Sequence, residues 1–147
     1  MSVVVFDIDG TIADNKHRQH HLMGDKKDWK AYNATMLDDE LYWDISDLLV
    51  ELSEQGHDII LCTGREKIYE KVTGDWMIKH GLNKHVIGLY MRDEKDYRSD
   101  AIVKVELLDK ICKDHDWPWL WFDDRQQVVD ALRAKGVRVL QVAPGDF

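Results

Sequence analysis

An α/β fold, a doubly wound parallel sheet of five strands with a small insertion after the first, is what this sequence predicts. Short apolar runs rich in Val, Ile and Leu alternate along the chain with longer segments of helical periodicity. Glycines stand where those segments must stop. The 147 residues, 44% of them hydrophobic, suffice for a single domain with its own core. Strands separated by helices in this way imply a parallel sheet covered on both faces.

In order, residues 3–7 (Val-Val-Val-Phe-Asp) read as the first strand. The spacing of Ile45, Leu48, Leu49 and Leu52 predicts a helix over 44–56, ended by Gly56. Residues 58–62 are a buried strand, 66–80 a second helix before Gly81, and 86–90 a third strand. Ser99 caps a helix to about His115, with Val103, Leu107 and Ile111 on one face. Residues 119–122 are the fourth strand, 126–135 a helix ending before Gly136, and 137–142 the fifth strand. Trp117, Trp119 and Trp121 alternate as strand residues do and are expected to pack. Residues 13–43 do not fit the alternation. A polar insertion of that length beside a strand end is expected to be a lid or substrate platform. Within it, Trp29 and Tyr32 either stack on a base or pack the lid onto the core.

A net charge of −8 excludes a protein that tracks a long duplex through many phosphates, but not recognition of one phosphate or of a strand end. No apolar run approaches the roughly 20 residues of a membrane span, so no membrane partner is expected. Asp7 and Asp9 interrupt the apolar start, which argues against a signal peptide. Cys62 and Cys112 lack metal-site spacing and read as small core residues, and the location expected is cytoplasmic. The histidines 17, 20 and 21 match no zinc pattern.

The chemistry concentrates at strand ends. Asp7-Ile8-Asp9-Gly10-Thr11 puts two carboxylates, one residue apart, into a turn, where like charges raise each other's pKa unless a cation intervenes. Oxygen ligands suit Mg²⁺. Thr63-Gly64-Arg65, placed at a helix start, offers a phosphate seat, with a plain N-cap as the structural alternative. Asp123-Asp124 is a second acidic pair; beside the first strand it would bring four carboxylates together. Asp100 and Lys104 share a helix face and read either as part of the site or as a solvated pair.

These motifs, in this order, resemble the haloacid dehalogenase-like phosphohydrolases over nearly the whole chain. Asp9 through Asp14, His17-Arg18-x-His20, Lys27-Asp28-Trp29, the spacing to Asp100 and Lys104, Asp123-Asp124-Arg125 and the ending Gly145-Asp146-Phe147 are similar to the phosphatase half of phage-type polynucleotide kinase-phosphatase. Pro144 stands where that family often has serine. No Gly-x4-Gly-Lys-Ser/Thr loop is found, so no kinase domain is expected and a kinase or ligase would be a separate polypeptide. The resemblance implies a Mg²⁺-dependent polynucleotide 3′-phosphatase. Asp7 would be the nucleophile and Asp9 the general acid-base. Mg²⁺ would be held by Asp7, the Asp9 carbonyl and Asp123 or Asp124. Thr63 and Lys104 would bind the phosphoryl oxygens, with Asp100 orienting Lys104, and Arg18, Gly64, Arg65 and Asp100 would belong to the substrate site. Its substrate would be a 3′-phosphorylated DNA or RNA end. A phosphatase of free nucleotides or small phosphomonoesters is the same-fold alternative, and a non-enzymatic receiver-like module the alternative of another class.

Overall fold

The computed structural model describes residues 1–147. Strand β1 spans Val3–Phe6, and two-residue strands β2 (Ala13–Asp14) and β3 (Glu40–Leu41) pair antiparallel. Strands β4 (Asp58–Glu66), β5 (Val86–Arg92), β6 (Leu120–Asp123) and β7 (Val139–Gln141) complete the main sheet with β1. Its order is β5-β4-β1-β6-β7, and every neighbouring pair is parallel. Helices α1 (Lys16–Gln19) and α2 (Trp29–Asn33) lie in the insertion. Helices α3 (Trp43–Glu54), α4 (Glu70–Lys79), α5 (Asp100–Asp114) and α6 (Gln126–Ala134) cover the sheet. The five-stranded doubly wound sheet is thus as the sequence predicts. No helix is long and apolar enough to cross a membrane.

Alternation along β1 builds two cores. Val3 and Val5 face Val103, Leu107 and Ile111 of α5 and Val128 and Leu132 of α6. Val4 and Phe6 face the other way, toward Leu49 of α3, Trp76 and Met77 of α4, Ile12 of the turn after β1 and Leu41 of the insertion. The Phe6 and Phe122 rings stack 4.6 Å apart across β1 and β6, a contact worth about 0.5–1.5 kcal/mol beyond area burial. Strand order reverses at β1, so the chain leaves its carboxyl end in a crevice between β4 and β6. Phe6 lies beside both Leu61 and Phe122, and the Asp7 N–H donates to Phe122 O at 2.9 Å. That register sets Asp7 alongside Asp123.

Several boundaries differ from expectation. The largest difference is at Thr63-Gly64-Arg65, which lies inside β4 rather than at a helix start. Pairing with β5 continues to Glu66, with an irregular register after Thr63, and α4 begins only at Glu70. A phosphate seat made by a helix dipole at this triplet is therefore withdrawn. Strand β5 runs two residues longer than predicted, while β7 keeps only residues 139–141. Of the three alternating tryptophans only Trp121 enters the core; Trp117 and Trp119 precede β6 and are exposed. Leu48 is exposed too, so the buried stripe of α3 narrows to Leu49 with Ile45 and Leu52 half-buried.

Candidate active site

The turn after β1 is tied to a single acceptor. The N–H groups of Thr11, Ile12 and Ala13 all donate to Ile8 O, at 3.1, 3.0 and 3.0 Å. Gly10 has φ +84°, and a Cβ on it would lie 2.2 Å from Asp124 Oδ2. Only glycine meets both demands. Asp7, Asp123 and Asp124 gather here, one carboxylate oxygen of each within 4.8 Å of the others. Asp9 is absent from that group, so three carboxylates cluster where the sequence suggested four.

Asp7 Oδ2 accepts from Thr11 Oγ1 at 3.0 Å, and Asp7 Oδ1 from Lys104 Nζ at 2.7 Å. Lys104 also donates to Asp123 Oδ2 at 2.7 Å. Its Nζ therefore reaches across the sheet from α5 to tie β1 to β6. Asp123 is fully used by the protein: Oδ1 accepts from the N–H of Asp124 (2.9 Å) and of Arg125 (3.3 Å). Asp124 makes no such commitment. One buried lysine thus faces three carboxylates. Burial, then Asp123, push the Asp7 carboxyl well above its ordinary range despite Lys104. Burial and Asp123 likewise raise Asp124 to about 6. Burial opposes the charge on Lys104, yet Asp123 and Asp7 hold its pKa above the usual lysine value.

A second cluster, balanced in charge, surrounds Asp9. Arg18 Nη2 and Arg65 Nη2 each donate to Asp9 Oδ1 at 2.7 Å, and Arg65 Nε to Oδ2 at 2.9 Å. Burial would raise the Asp9 pKa, but Arg65 and then Arg18 bring it down to about 2. The arginines are held from behind by the fully buried Asp39. Its oxygens accept from Arg18 Nε (2.8 Å), Arg18 Nη2 (2.7 Å) and His17 Nε2 (2.7 Å). Arg65 Nη1 also donates to Thr73 Oγ1 at 3.0 Å, and the Arg18 guanidinium lies 4.3 Å from the Tyr32 ring centre. Two cations and two anions close the cage. Tyr32 is buried, with its hydroxyl accepting from Asn15 Nδ2 at 2.7 Å, so it packs the lid and offers no face to a base.

Asp100 completes the floor. It accepts from Arg92 Nη2 at 2.7 Å and lies 3.3 Å from Arg125 Nη1, and makes no hydrogen bond to Lys104. The expectation that Asp100 orients Lys104 by contact is thus corrected: Asp123 makes that contact, and Asp100 acts on the lysine through its field alone. A Cβ on Gly64 would lie 2.0 Å from Asp100 Oδ1, so β4 needs glycine to pass this carboxylate. Thr63 is buried and its Oγ1 accepts from Arg65 N–H at 3.1 Å.

Residues 144–147 brace the same loop. Gly145 O accepts from Gln126 N–H at 2.8 Å, Phe147 O from Arg125 Nε at 2.8 Å, and the Arg125 guanidinium lies 5.1 Å from the Phe147 ring centre. A Cβ on Gly145 would stand 2.1 Å from the Asp124 carbonyl oxygen. Gly145→Ala is expected to lower stability by about 1–3 kcal/mol through overpacking, read as a fall in Tm by thermal unfolding.

The comparison with known families agrees with this geometry. The family model described as the polynucleotide kinase PNKP phosphatase domain matches residues 1–147. The chain belongs to this family. The PNKP-type phosphatase domain superposes on chains from two structures of the Pnkp1/Rnl/Hen1 complex, described in one as an RNA repair complex. The TM-score is 0.82 in both, at 30% and 32% identity, covering 100% and 99% of this chain. It spans 44% and 47% of those chains, under half their length. The class C acid phosphatase from Bacillus anthracis shares the fold, with a TM-score of 0.73 at 18% identity, covering 98% of this chain and 66% of that one.

In this PNKP-type domain the site residues named from sequence fall into three groups. Asp7, Lys104, Asp123 and Asp124 form the carboxylate cluster, with Thr63 at the neighbouring strand end. Arg18, Arg65 and Asp9 form the cage, and Asp100 with Gly64 lies beneath. Sequence reasoning missed Asp39, hidden in an acidic run that reads as solvent-facing. The signal that finds it is charge: two arginines buried beside one aspartate require another anion.

Proposed function

We propose that this domain is a Mg²⁺-dependent polynucleotide 3′-phosphatase that works through an aspartyl-phosphate, in RNA repair. The observation carrying the phosphatase chemistry is the separation of two carboxylates one residue apart. Asp7 sits in an anion-rich cluster beside Lys104, and Asp9 sits in an arginine cage. Environment has divided their roles. The match of the PNKP phosphatase model over the whole chain favours the polynucleotide substrate, and the likeness to RNA repair structures favours RNA.

Mg²⁺ fits the cluster. Three oxygen donors converge where only one buried cation is present, and both Asp7 and Asp124 have raised pKa values that a divalent cation would relieve. Asp7 and Asp124 would hold it with the Asp9 carbonyl, because both oxygens of Asp123 already serve Lys104 and two backbone N–H groups. Bound there, the ion would neutralise charge developing on the phosphoryl oxygens.

Asp7 Oδ2 attacks phosphorus, the bond to the substrate oxygen breaks, and an acyl phosphate forms on Asp7. Lys104 donates to Asp7 Oδ1 and would meet the phosphoryl oxygens that stay on phosphorus. The Thr63 hydroxyl offers a second donor. The negative phosphate entering beside Asp9 raises its proton affinity, so Asp9 takes up a proton from solvent and delivers it to the leaving oxygen. As a carboxylate, Asp9 then takes a proton from the water that cleaves the acyl phosphate. Arg18 and Arg65 orient it throughout.

The deciding assay gives purified protein and Mg²⁺ oligonucleotides bearing a 3′- or a 5′-phosphate, alongside free 3′- and 5′-mononucleotides. Release from the 3′-phosphorylated strand supports the proposal. Release from mononucleotides alone would replace it with a nucleotidase, a reading that the −8 net charge keeps open.

The uncompensated cluster also sets a pH dependence. Asp124, raised from 3.8 to about 6, contributes stability that is fully present below pH 3.8 and lost as pH rises through about 6. Asp7 acts in the same direction. Asp9 is opposite but out of range, since its contribution is complete above pH 3.8 and lost only as pH falls through about 2. Chelated protein is therefore expected to lose on the order of a few kcal/mol as pH rises from about 4 to about 7. Mg²⁺ should cancel the loss, as read by Tm against pH with EDTA and with Mg²⁺.

A further inference from the structure

The insertion carries a surface that neither the site nor the core accounts for. Over residues 15–34 there are five Lys or Arg against two Asp, in a chain whose net charge is −8. Lys26, Lys27 and Lys30 are exposed, and the lysines that do form ion pairs are Lys67, Lys71 and Lys104. Between them stands Trp29, 55% exposed. It is not loosely held. Asp28 caps α2 by accepting from Ala31 N–H at 3.0 Å, and the Trp29 ring stands edge-on to Tyr32 with centroids 5.7 Å apart. Tyr32 carries Arg18 on its ring, and Arg18 contacts Asp9 at 2.7 Å. A chain of side-chain contacts thus leads outward from the Asp9 carboxylate to a half-exposed indole, with Lys27 Nζ 6.0 Å from its centroid.

We propose that this face of the lid is the track for the strand behind the terminal phosphate. A base stacks on Trp29, and Lys26, Lys27 and Lys30 meet the backbone phosphates. This rests on the polynucleotide reading above and adds where the strand lies. An indole face serves any base, and single-strand binding elsewhere combines such aromatics with a positive path along the backbone. The other lysine-rich surface, the groove of Lys67, Lys110 and Lys113 beside β5, is compensated only at Lys67, which pairs with Asp93 at 2.8 Å, while Asp114 lies in the same groove. What sets the lid apart is the exposed indole of Trp29 standing among its lysines.

The test compares a 3′-phosphorylated decamer with the matching 3′-mononucleotide. Trp29→Ala should raise KM for the decamer on the order of tenfold, leave its kcat and the mononucleotide KM unchanged, and be rescued by Trp29→Phe. Replacing Lys26, Lys27 and Lys30 by Gln should raise the same KM and flatten its dependence on salt, since each lost phosphate contact removes about 0.7 from the logarithmic slope. Lys110→Gln with Lys113→Gln serves as the control and should change neither. If the parent prefers the decamer and the lid variants do not alter that preference, or the control pair does, the track is overturned while the polynucleotide reading stands. If the parent shows no preference for the decamer, both fall. Unchanged Tm and far-ultraviolet circular dichroism separate a lost contact from an unfolded lid.

Discussion

Asp7→Asn should abolish phosphate release, by on the order of 10⁴-fold or more, in a protein that melts no lower than the parent when both are free of divalent cation. Asparagine has the shape of aspartate but not the nucleophilic oxygen, so no acyl phosphate forms. The stability claim follows from the charge count around Lys104. With Asp7 neutral, Lys104 keeps its 2.7 Å partner Asp123, and the amide oxygen can still accept from it. A neutral amide removes what lifts the Asp7 pKa, first the cost of burying its charge and then the repulsion from Asp123 and Asp124. Thermal unfolding in EDTA and a phosphate-release assay check the two halves. Retained turnover in a well-folded variant would sink the assignment of Asp7.

The adjacent aspartates should then separate. Asp123→Ala strips Lys104 of one of its two anions and leaves the N–H groups of Asp124 and Arg125 without their acceptor, all inside the fold. Removing one partner of a buried, hydrogen-bonded charge costs about 3–5 kcal/mol, or roughly 10–20 °C in Tm for a domain of this size. Asp124→Asn has no such network to break. It should hold its Tm in EDTA, while losing both activity and the rise in Tm that Mg²⁺ gives the parent. Equal destabilisation by the two substitutions would contradict this division of labour.

Much of this was legible in the sequence, for reasons tied to particular residues. The Val3–Phe6 run, the Ser99 cap and the Val103, Leu107 and Ile111 spacing report local physics, and the structure follows them. The strand-end motifs pointed to Asp7, Asp123 and Asp124 because parallel topology collects such ends at one edge. What the sequence does not carry is partner choice across the fold. Lys104 is four residues from Asp100, an ordinary helical pair, yet it bonds to Asp7 and Asp123 from other strands. Arg65 looked like the start of a helix, but pairing of β4 with β5 carries the strand to Glu66. Asp39 was invisible because its burial depends on two arginines that arrive from 21 residues before it and 26 after.

The Asp39 contacts also decide how the lid can behave. Arg18 and Asp39 both belong to the insertion, and between them they hold Asp9 and Arg65, which belong to the main domain. Swinging the lid away would take from Asp9 one of its two arginines and from Arg65 its Asp39 partner, so the cover is expected to stay shut while substrate enters and product leaves. Amide hydrogens of Tyr32 and Asp39 should accordingly exchange only as fast as those of β1, opening with the whole domain and never ahead of it. Cutting the insertion down to a bare connector would yield a chain whose Asp9, the proposed acid-base group, has lost its setting, not a smaller working phosphatase.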